Sequence, residues 1–466
     1  MRNNSRRNFL KRGSLSGAAL LTGSLQMNSA ATRHVSTSEG EYMGNYAAPP
    51  MPNLRAAFIG VGARGGDHLK FLAGLPNTEV VAISDLYEDN VDKWKSIAVG
   101  VGGGTRHRRI ATYHGDENRW RTMLSEVRPD VVFIATNWKN HAPMTIAAME
   151  VGAHVCVEVP IAVTIDEMWD IVNTSERTRR HCMMMENVNY NRDELMFLNM
   201  VRQGVIGEPL HAEAAYIHEL RFQMKEEERG TGSWRTHHYA ERNGNLYPTH
   251  GLGPVAQYMN LARTEDNFNS LVSFSTPARG RQLYAGKNYP AEHKWNKLDF
   301  KGGDLNTVII KTILGRTIMV QWDETSPRPY TRHNLLQGTR GTLAGFPTRV
   351  ALEGGVPGAT DSHHAWAQGE ALDELRARYD HPLYKRLVAA AKGSGHGGMD
   401  GIMMYRIVEC LQKGLPLDQN VYEGCFWSAV APLSEASVAA EGMPQQFPDF
   451  TRGRWRETPA LGIVSD

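Results

Sequence analysis

The chain has 466 residues, of which 41% are hydrophobic and 22% charged, long enough for two domains and a sizeable core. Its 51 basic and 50 acidic residues leave a net charge of +1, so composition indicates neither a nucleic-acid-binding surface nor a charged tail. Four cysteines (Cys156, Cys182, Cys410 and Cys425) stand without CxxC spacing, and read as small buried apolar residues rather than disulfide partners or metal ligands.

Residues 1–31 have the layout of an export signal. A basic segment containing Arg6-Arg7-Asn8-Phe9-Leu10-Lys11 precedes an apolar stretch from Leu15 to Leu25, and the small residues Asn28-Ser29-Ala30-Ala31 follow. The paired arginines resemble a twin-arginine signal, which implies engagement of the twin-arginine export machinery, export in the folded state and a periplasmic destination. The alternative is a basic tail with no export role. The apolar stretch is too short and too rich in Gly and Ser to span a bilayer stably, and no other transmembrane segment is evident. Residues 32–53 lack a pattern and read as a linker.

From Leu54 the chain alternates short apolar runs with helical patterns. Residues 56–59, 79–83, 130–135, 154–157 and 182–185 read as strands, with helices over 143–151 and 165–178. Continuous apolar strands alternating with helices predict a doubly wound parallel sheet, a Rossmann domain over 54–190. Beyond residue 191 the pattern changes. Residues 210–220 partly alternate, and 307–314 and 317–322 flank Gly315-Arg316 like the arms of a two-residue hairpin. A helix is predicted over 398–413. The expectation is an α/β protein. Its second domain, 191–440, is α+β on a mainly antiparallel open sheet, and a tail (441–466) packs back on the body. The glycine run 100–104 reads as a mobile loop.

Gly60-Val61-Gly62-Ala63-Arg64-Gly65 follows the first strand directly and opens a helix, and Asp85 ends the second strand. That context raises a weak G-x-G-x-x-G to a dinucleotide motif. The glycines bring the backbone to a pyrophosphate, the helix N-terminus faces the phosphates, and the carboxylate faces the ribose hydroxyls. Asp85 would repel a 2′-phosphate, and Leu86-Tyr87 offers no cation, so NAD is expected rather than NADP. An exported NAD enzyme has little free cofactor outside the cytoplasm. The expectation is therefore an NAD that is loaded before export, held tightly and restored in each turnover by overall redox-neutral chemistry.

Glu158-Val159-Pro160 lies where the glucose-fructose oxidoreductase and inositol dehydrogenase family carries Glu-Lys-Pro, and the two-domain layout is similar to that family's. Val159 replaces the lysine, which puts simple dehydrogenase chemistry by that residue in doubt. Longer motifs resemble the NAD-dependent α-N-acetylgalactosaminidases of glycoside hydrolase family 109. These are Met184-Met185-Glu186-Asn187-Val188-Asn189-Tyr190, Ser233-Trp234-Arg235-Thr236, the run from Arg242 to Gly251, Arg328-Pro329-Tyr330, and Phe447-Pro448-Asp449-Phe450-Thr451-Arg452-Gly453 near the C-terminus. The resemblance covers essentially the whole chain. It implies hydrolysis of terminal α-linked N-acetylgalactosamine by oxidation at C3, elimination, addition of water and reduction. This differs from the paired carboxylates of ordinary glycosidases. It also implies a homo-oligomer, through an exposed face of the second sheet.

By the same resemblance, Ala63, Arg64, Asp85, Trp138, Lys139, Asn140, His141, Glu158, Val159 and Asn187 contact NAD. Tyr216, Arg235, Tyr247, Pro248, Thr249, His250 and Tyr330 contact the sugar. Trp138 has core packing as its alternative, His141 the start of a helix before Pro143, and Arg235 a surface ion pair. His250 is the first candidate for proton transfer, because an imidazole both takes and gives a proton near neutral pH. Tyr330 comes second and needs a cationic neighbour, which NAD⁺ could supply. Glu158 and Tyr190 follow, and which base removes which proton stays open. His237-His238 and His363-His364 do not have metal-ligand spacing, so no metal is expected. The competing readings are an exported sugar oxidoreductase with retained cofactor and a non-catalytic sugar- or NAD-binding module.

Overall fold

The computed structural model describes residues 40–102, 107–356 and 364–462. The predicted export signal, His363 and part of the glycine run 100–104 lie outside them.

Six strands form the first sheet: β1 (Leu54–Ile59), β2 (Thr78–Ser84), β3 (Ala111–Tyr113), β4 (Val131–Ile134), β5 (His154–Val157) and β6 (Cys182–Met184). Their order is β3-β2-β1-β4-β5-β6, and every pairing is parallel. β4 and β5 are buried at every residue, which accounts for the unbroken apolar sequence of β4 and of Val155 to Val157 in β5. The crossovers run through α1 (Ala63–Gly74), α2 (Glu88–Val101), α3 (Arg119–Val127), α4 (Trp138–Glu150) and α5 (Ile165–Thr178). Strand order reverses between β1 and β4. The carboxyl ends of these strands therefore open the crevice where doubly wound folds bind ligands. Gly100 lies within α2 rather than in a loop. α4 begins at Trp138, not at Pro143, so Trp138 to His141 form its first turn.

The second sheet contains β7 (Pro209–Ile217), β8 (Phe268–Ser275), β9 (Asn306–Thr312), β10 (Thr317–Asp323), β11 (Leu335–Gly338), β12 (Gly341–Ala344), β13 (Arg349–Leu352), β14 (Ala367–Gln368) and β15 (Gln445–Gln446). It is antiparallel except where β7 pairs with β10. The β9–β10 connection is four residues, 313–316, rather than two. Thr312 N–H donates to the Arg316 carbonyl and Gly315 N–H to the Thr312 carbonyl, and Gly315 takes the left-handed φ of 84° that closes the turn.

The helix Val421–Ala439 joins the two sheets. It packs against β8, α5 and β6, and Ser428 Oγ accepts from Ile161 N–H. Its buried residues occupy every side, and a capping box of Asn420 and Glu423 starts it. All four cysteines are buried free thiols. Among the described residues, no helix is long and apolar enough to cross a membrane, and no cluster of three His, Cys, Asp or Glu side chains could hold a metal ion.

Candidate functional site

The turn between β1 and α1 uses each glycine differently. Gly60 has φ of 81°, and a Cβ there would lie 2.6 Å from the Ala135 carbonyl oxygen. A Cβ on Gly65 would lie 1.9 Å from the Gly60 carbonyl oxygen, so this glycine lets α1 press onto the strand end. At Gly62 a Cβ meets nothing within 4 Å. The backbone is open there, at the N-terminus of a helix that lacks a side-chain cap. Close packing at the first and third glycines with open space at the second is the cradle a pyrophosphate needs. Asp85 Oδ2 accepts from Val61 N–H at 2.7 Å, and Oδ1 from Tyr87 N–H and Asn90 Nδ2, which fixes the carboxylate beside the turn. These residues fit NAD.

A charged cluster flanks the cradle. Arg64 Nη2 lies 3.0 Å from Glu158 Oε1, and Arg64 Nη1 donates to Asp400 Oδ2 at 2.8 Å. His68 Nε2 contacts the same Glu158 oxygen at 2.7 Å, and Asn187 Nδ2 donates to Asp400 Oδ1 at 2.6 Å. Burial by itself would raise the Glu158 pKa. The Arg64 charge and the His68 hydrogen bond outweigh it and hold the carboxyl well below its usual range. Burial of Asp400 is likewise outweighed, by the hydrogen bond from His396 and the charge of Arg64.

The second group gathers around His250. The helix Thr249–Tyr258 lies against β7 because Gly251 has no side chain: a Cβ there would sit 2.4 Å from Ala215 N. A Cβ on Gly253 would be 2.9 Å from Glu186 Cγ. This close approach brings His250 Nδ1–H to Glu186 Oε1 at 2.7 Å. Glu186 is fully buried, and Val188 N–H donates to the same oxygen at 3.2 Å. With Nδ1 held, His250 keeps Nε2 for proton exchange, and its ring meets those of Tyr216 and Tyr247 edge to face. A histidine oriented by a buried carboxylate is in the arrangement that stabilises an imidazolium as it forms.

Arg235 lies among rings, 5.0 Å from the Trp138 centroid, 5.1 Å from that of Tyr247 and 5.4 Å from that of Trp234. Fully buried arginines elsewhere hold carboxylates, as Arg263 does Glu423 and Arg332 does Glu194, whereas Arg235 is half-buried. Arg235 has no ion pair among the described residues, which rules out the surface-pair reading, and its buried Nε has no hydrogen-bond partner. The buried Thr249 hydroxyl is also without a partner, behind the buried Pro248. Unsatisfied donors beside aromatic faces suit a sugar. Tyr330, 39% exposed, stacks edge-on to Tyr216 and His218, and its hydroxyl accepts from Arg332 Nη1 at 2.8 Å. The protein thus carries its own cation beside this phenol. Burial still pushes the Tyr330 pKa up, with Arg332 opposing it.

Trp138 and the consecutive residues Glu186 and Asn187 link the two groups. The Trp138 ring faces the sugar-side aromatics from the first turn of α4, where Lys139 is exposed and Asn140 half-buried. Three expectations are revised. Tyr190 cannot serve as a proton carrier: it is buried, its hydroxyl donates to Asp418 Oδ2 at 3.1 Å, and Arg406 binds that same carboxylate. Glu158 stays ionised under Arg64 and is a poor base. His141 is buried with Nδ1 2.7 Å from the Pro160 carbonyl oxygen and Nε2 3.2 Å from that of Thr136, and burial lowers its pKa, so the one N–H of its neutral ring is spent on a backbone carbonyl. Val159 is buried at the end of β5 and has no group to move a proton.

The site can be set beside known proteins. Residues 54–186 match the oxidoreductase-family NAD-binding Rossmann fold, and residues 190–457 match the C-terminal domain of glycosyl hydrolase 109. The chain belongs to glycosyl hydrolase family 109. This family 109 protein is 59% identical over 425 residues to glycosyl hydrolase family 109 protein 1 of Akkermansia muciniphila, covering 91% of this chain and 87% of that one. It is 50% identical over 461 residues to a family 109 protein of Shewanella pealeana, covering 99% of each. In fold it resembles levoglucosan dehydrogenase in complex with NADH and L-sorbose (TM-score 0.63, 19% identity, 86% of this chain and 100% of that chain). It also resembles scyllo-inositol dehydrogenase from Lactobacillus casei (TM-score 0.57, 13% identity, 84% and 99%). Family and Rossmann domain together make the family 109 protein an NAD-dependent glycosidase.

Two parts of the family 109 site escape sequence reasoning. Glu186 lies inside a motif but is not singled out, although a carboxylate at the end of an apolar strand is a usable signal. Asp400 and His396 have no local signal, being more than 330 residues from Arg64.

Proposed function

We propose that the protein hydrolyses terminal α-linked N-acetylgalactosamine without net redox change. The observation that carries this reading is the Glu186–His250 pair, set among sugar-suited side chains and joined to the dinucleotide cradle through Asn187. When bound, NAD supplies reversible oxidation at the sugar 3-position, which acidifies the proton on C2. The protein then has two proton carriers for elimination and for the addition of water. His250 Nε2 takes or returns a proton while Glu186 steadies the charge on the ring. Tyr330 Oη exchanges a second proton beside Arg332. Arg235 and Thr249 offer donors to the sugar oxygens, and Tyr216 and Tyr247 wall the site. Val159, where many dehydrogenases of this fold have lysine, supports elimination chemistry over simple alcohol oxidation. We further propose export by the twin-arginine route with NAD loaded beforehand and retained.

The test incubates purified protein, with no NAD added, with an aryl α-N-acetylgalactosaminide in deuterated water. Aryl release with deuterium at sugar C2 is the expected result. A keto-sugar or lactone product without aryl release would instead identify an exported sugar oxidoreductase. Sugar binding with neither product would identify a non-catalytic module.

A further inference from the structure

We infer that Asp400 and His396, carried by the C-terminal half of the chain, complete the dinucleotide site and latch NAD into it. The inference rests on the NAD-loaded reading above. Arg64 stands two residues after Gly62, at the open face of the cradle. The position of its guanidinium is set from two sides, by Glu158 at the end of β5 and by Asp400 in the first turn of the helix Met399–Lys413. Asp400 uses both oxygens: Oδ1 accepts from Asn187 Nδ2 at 2.6 Å, and Oδ2 from Arg64 Nη1 and His396 Nδ1, each at 2.8 Å. One carboxylate therefore orients three side chains around the cradle. Asn187 is one of them, and its Oδ1 is buried without a hydrogen-bond partner, an acceptor facing no donor of the protein.

The turn that carries His396 is shaped to lie on this carboxylate. Gly397 and Gly398 adopt φ of 72° and 106°, which reverses the chain just before the helix. A Cβ on Gly395 would sit 2.3 Å from Asp400 Oδ2, so only glycine lets the turn close down here. His396 caps the arrangement from outside with its side chain 52% exposed, and its Nδ1 is also 3.2 Å from Arg64 Nη1. The cofactor site is thus completed by a segment that lies outside the Rossmann domain. Release of NAD requires the turn to lift or Arg64 to lose its second anchor. Asp400 acts through Arg64 and Asn187, as a positioning residue, and His396 as the outer latch.

The experiment measures NAD, not hydrolysis. Wild type, His396→Ala and Asp400→Asn are purified, dialysed and acid-extracted over time, and the NAD remaining per chain is quantified. Melting of the NAD-stripped proteins is recorded in parallel. Both variants should release NAD at least about tenfold faster than wild type, the factor carried by one charge-assisted hydrogen bond. The stripped form of His396→Ala should melt as the stripped wild type does, because its side chain is half-exposed. Wild-type release rates in both variants would overturn the latch while leaving the NAD reading intact. NAD loss from His396→Ala matched by lower melting of its stripped form would also overturn it, in favour of a merely structural role. His396, being half-exposed, keeps the test decisive if Asp400→Asn does not fold. A wild-type protein that neither contains NAD nor takes it up would overturn the NAD-loaded reading itself.

Discussion

Replacing Glu186 by glutamine takes one negative charge from beside the His250 imidazole while conserving volume. The carboxylate is fully buried and lies 2.7 Å from Nδ1, so its hydrogen bond to a protonated ring is charge-assisted and shielded from water. Such a bond contributes about 1.5–3 kcal/mol, and each 1.36 kcal/mol is about tenfold in rate, so kcat should fall about 10- to 150-fold. The loss should appear in kcat with KM little changed, because His250 gains charge only as the reaction proceeds. Glutamine can still accept from Val188 N–H, so the local turn keeps its bond and melting should stay close to wild type. Initial rates on an aryl α-N-acetylgalactosaminide over a range of concentrations, with NAD content measured for each sample, provide the assay. A fall in kcat of less than about threefold, under about 0.7 kcal/mol, at normal NAD content would refute the assignment of Glu186 as the partner of a proton-carrying histidine.

Gly62→Ala should fold and melt normally yet lose NAD, since its methyl group enters open space where the phosphates approach. Gly65→Ala should lower melting even without cofactor, because its Cβ collides with the Gly60 carbonyl, and equal behaviour of the two variants in NAD content and melting would contradict the cradle geometry. Tyr190→Phe should keep turnover and cost roughly 1 kcal/mol in urea unfolding through the lost bond to Asp418, and a turnover loss above about tenfold at unchanged stability would return Tyr190 to the catalytic set. Acid should destabilise the fold well before the carboxylates titrate. Burial lowers His154 and His238 to about 3 and His381 to about 4 from an ordinary 6.5, so between these values the unfolded chain binds more protons than the folded one. Stability is then full above pH 6.5 and falls as pH drops toward 4, by up to about 1.4 kcal/mol per pH unit for each ring. A urea midpoint that stays flat from pH 7 to 4 would contradict this.

The Rossmann half was legible because its strands are buried on both faces. Residues 80–83 and 155–157 announce β2 and β5 as unbroken apolar runs. β3 was not legible, being three residues at the sheet edge of which only Tyr113 is buried. The helix Val421–Ala439 has no amphipathic period to read, because both sheets cover it. At the site, motifs named His250, Arg235 and Tyr330 but not what each one meets. Tyr190 illustrates the limit: it sits in a motif with Glu186 and Asn187, yet its side chain points to Asp418 and theirs point to the site.

By itself the sequence determined the doubly wound domain, the glycine turn and the family, all properties written in short segments whose residue types record local burial or backbone need. Only the tertiary structure decided the pairings: Glu186 with His250, Glu194 with Arg332, and Asp400 with Arg64. A buried charge must find its partner wherever the strand ends and helix turns deliver one, and segments 64 to 336 residues apart carry no local trace of that meeting.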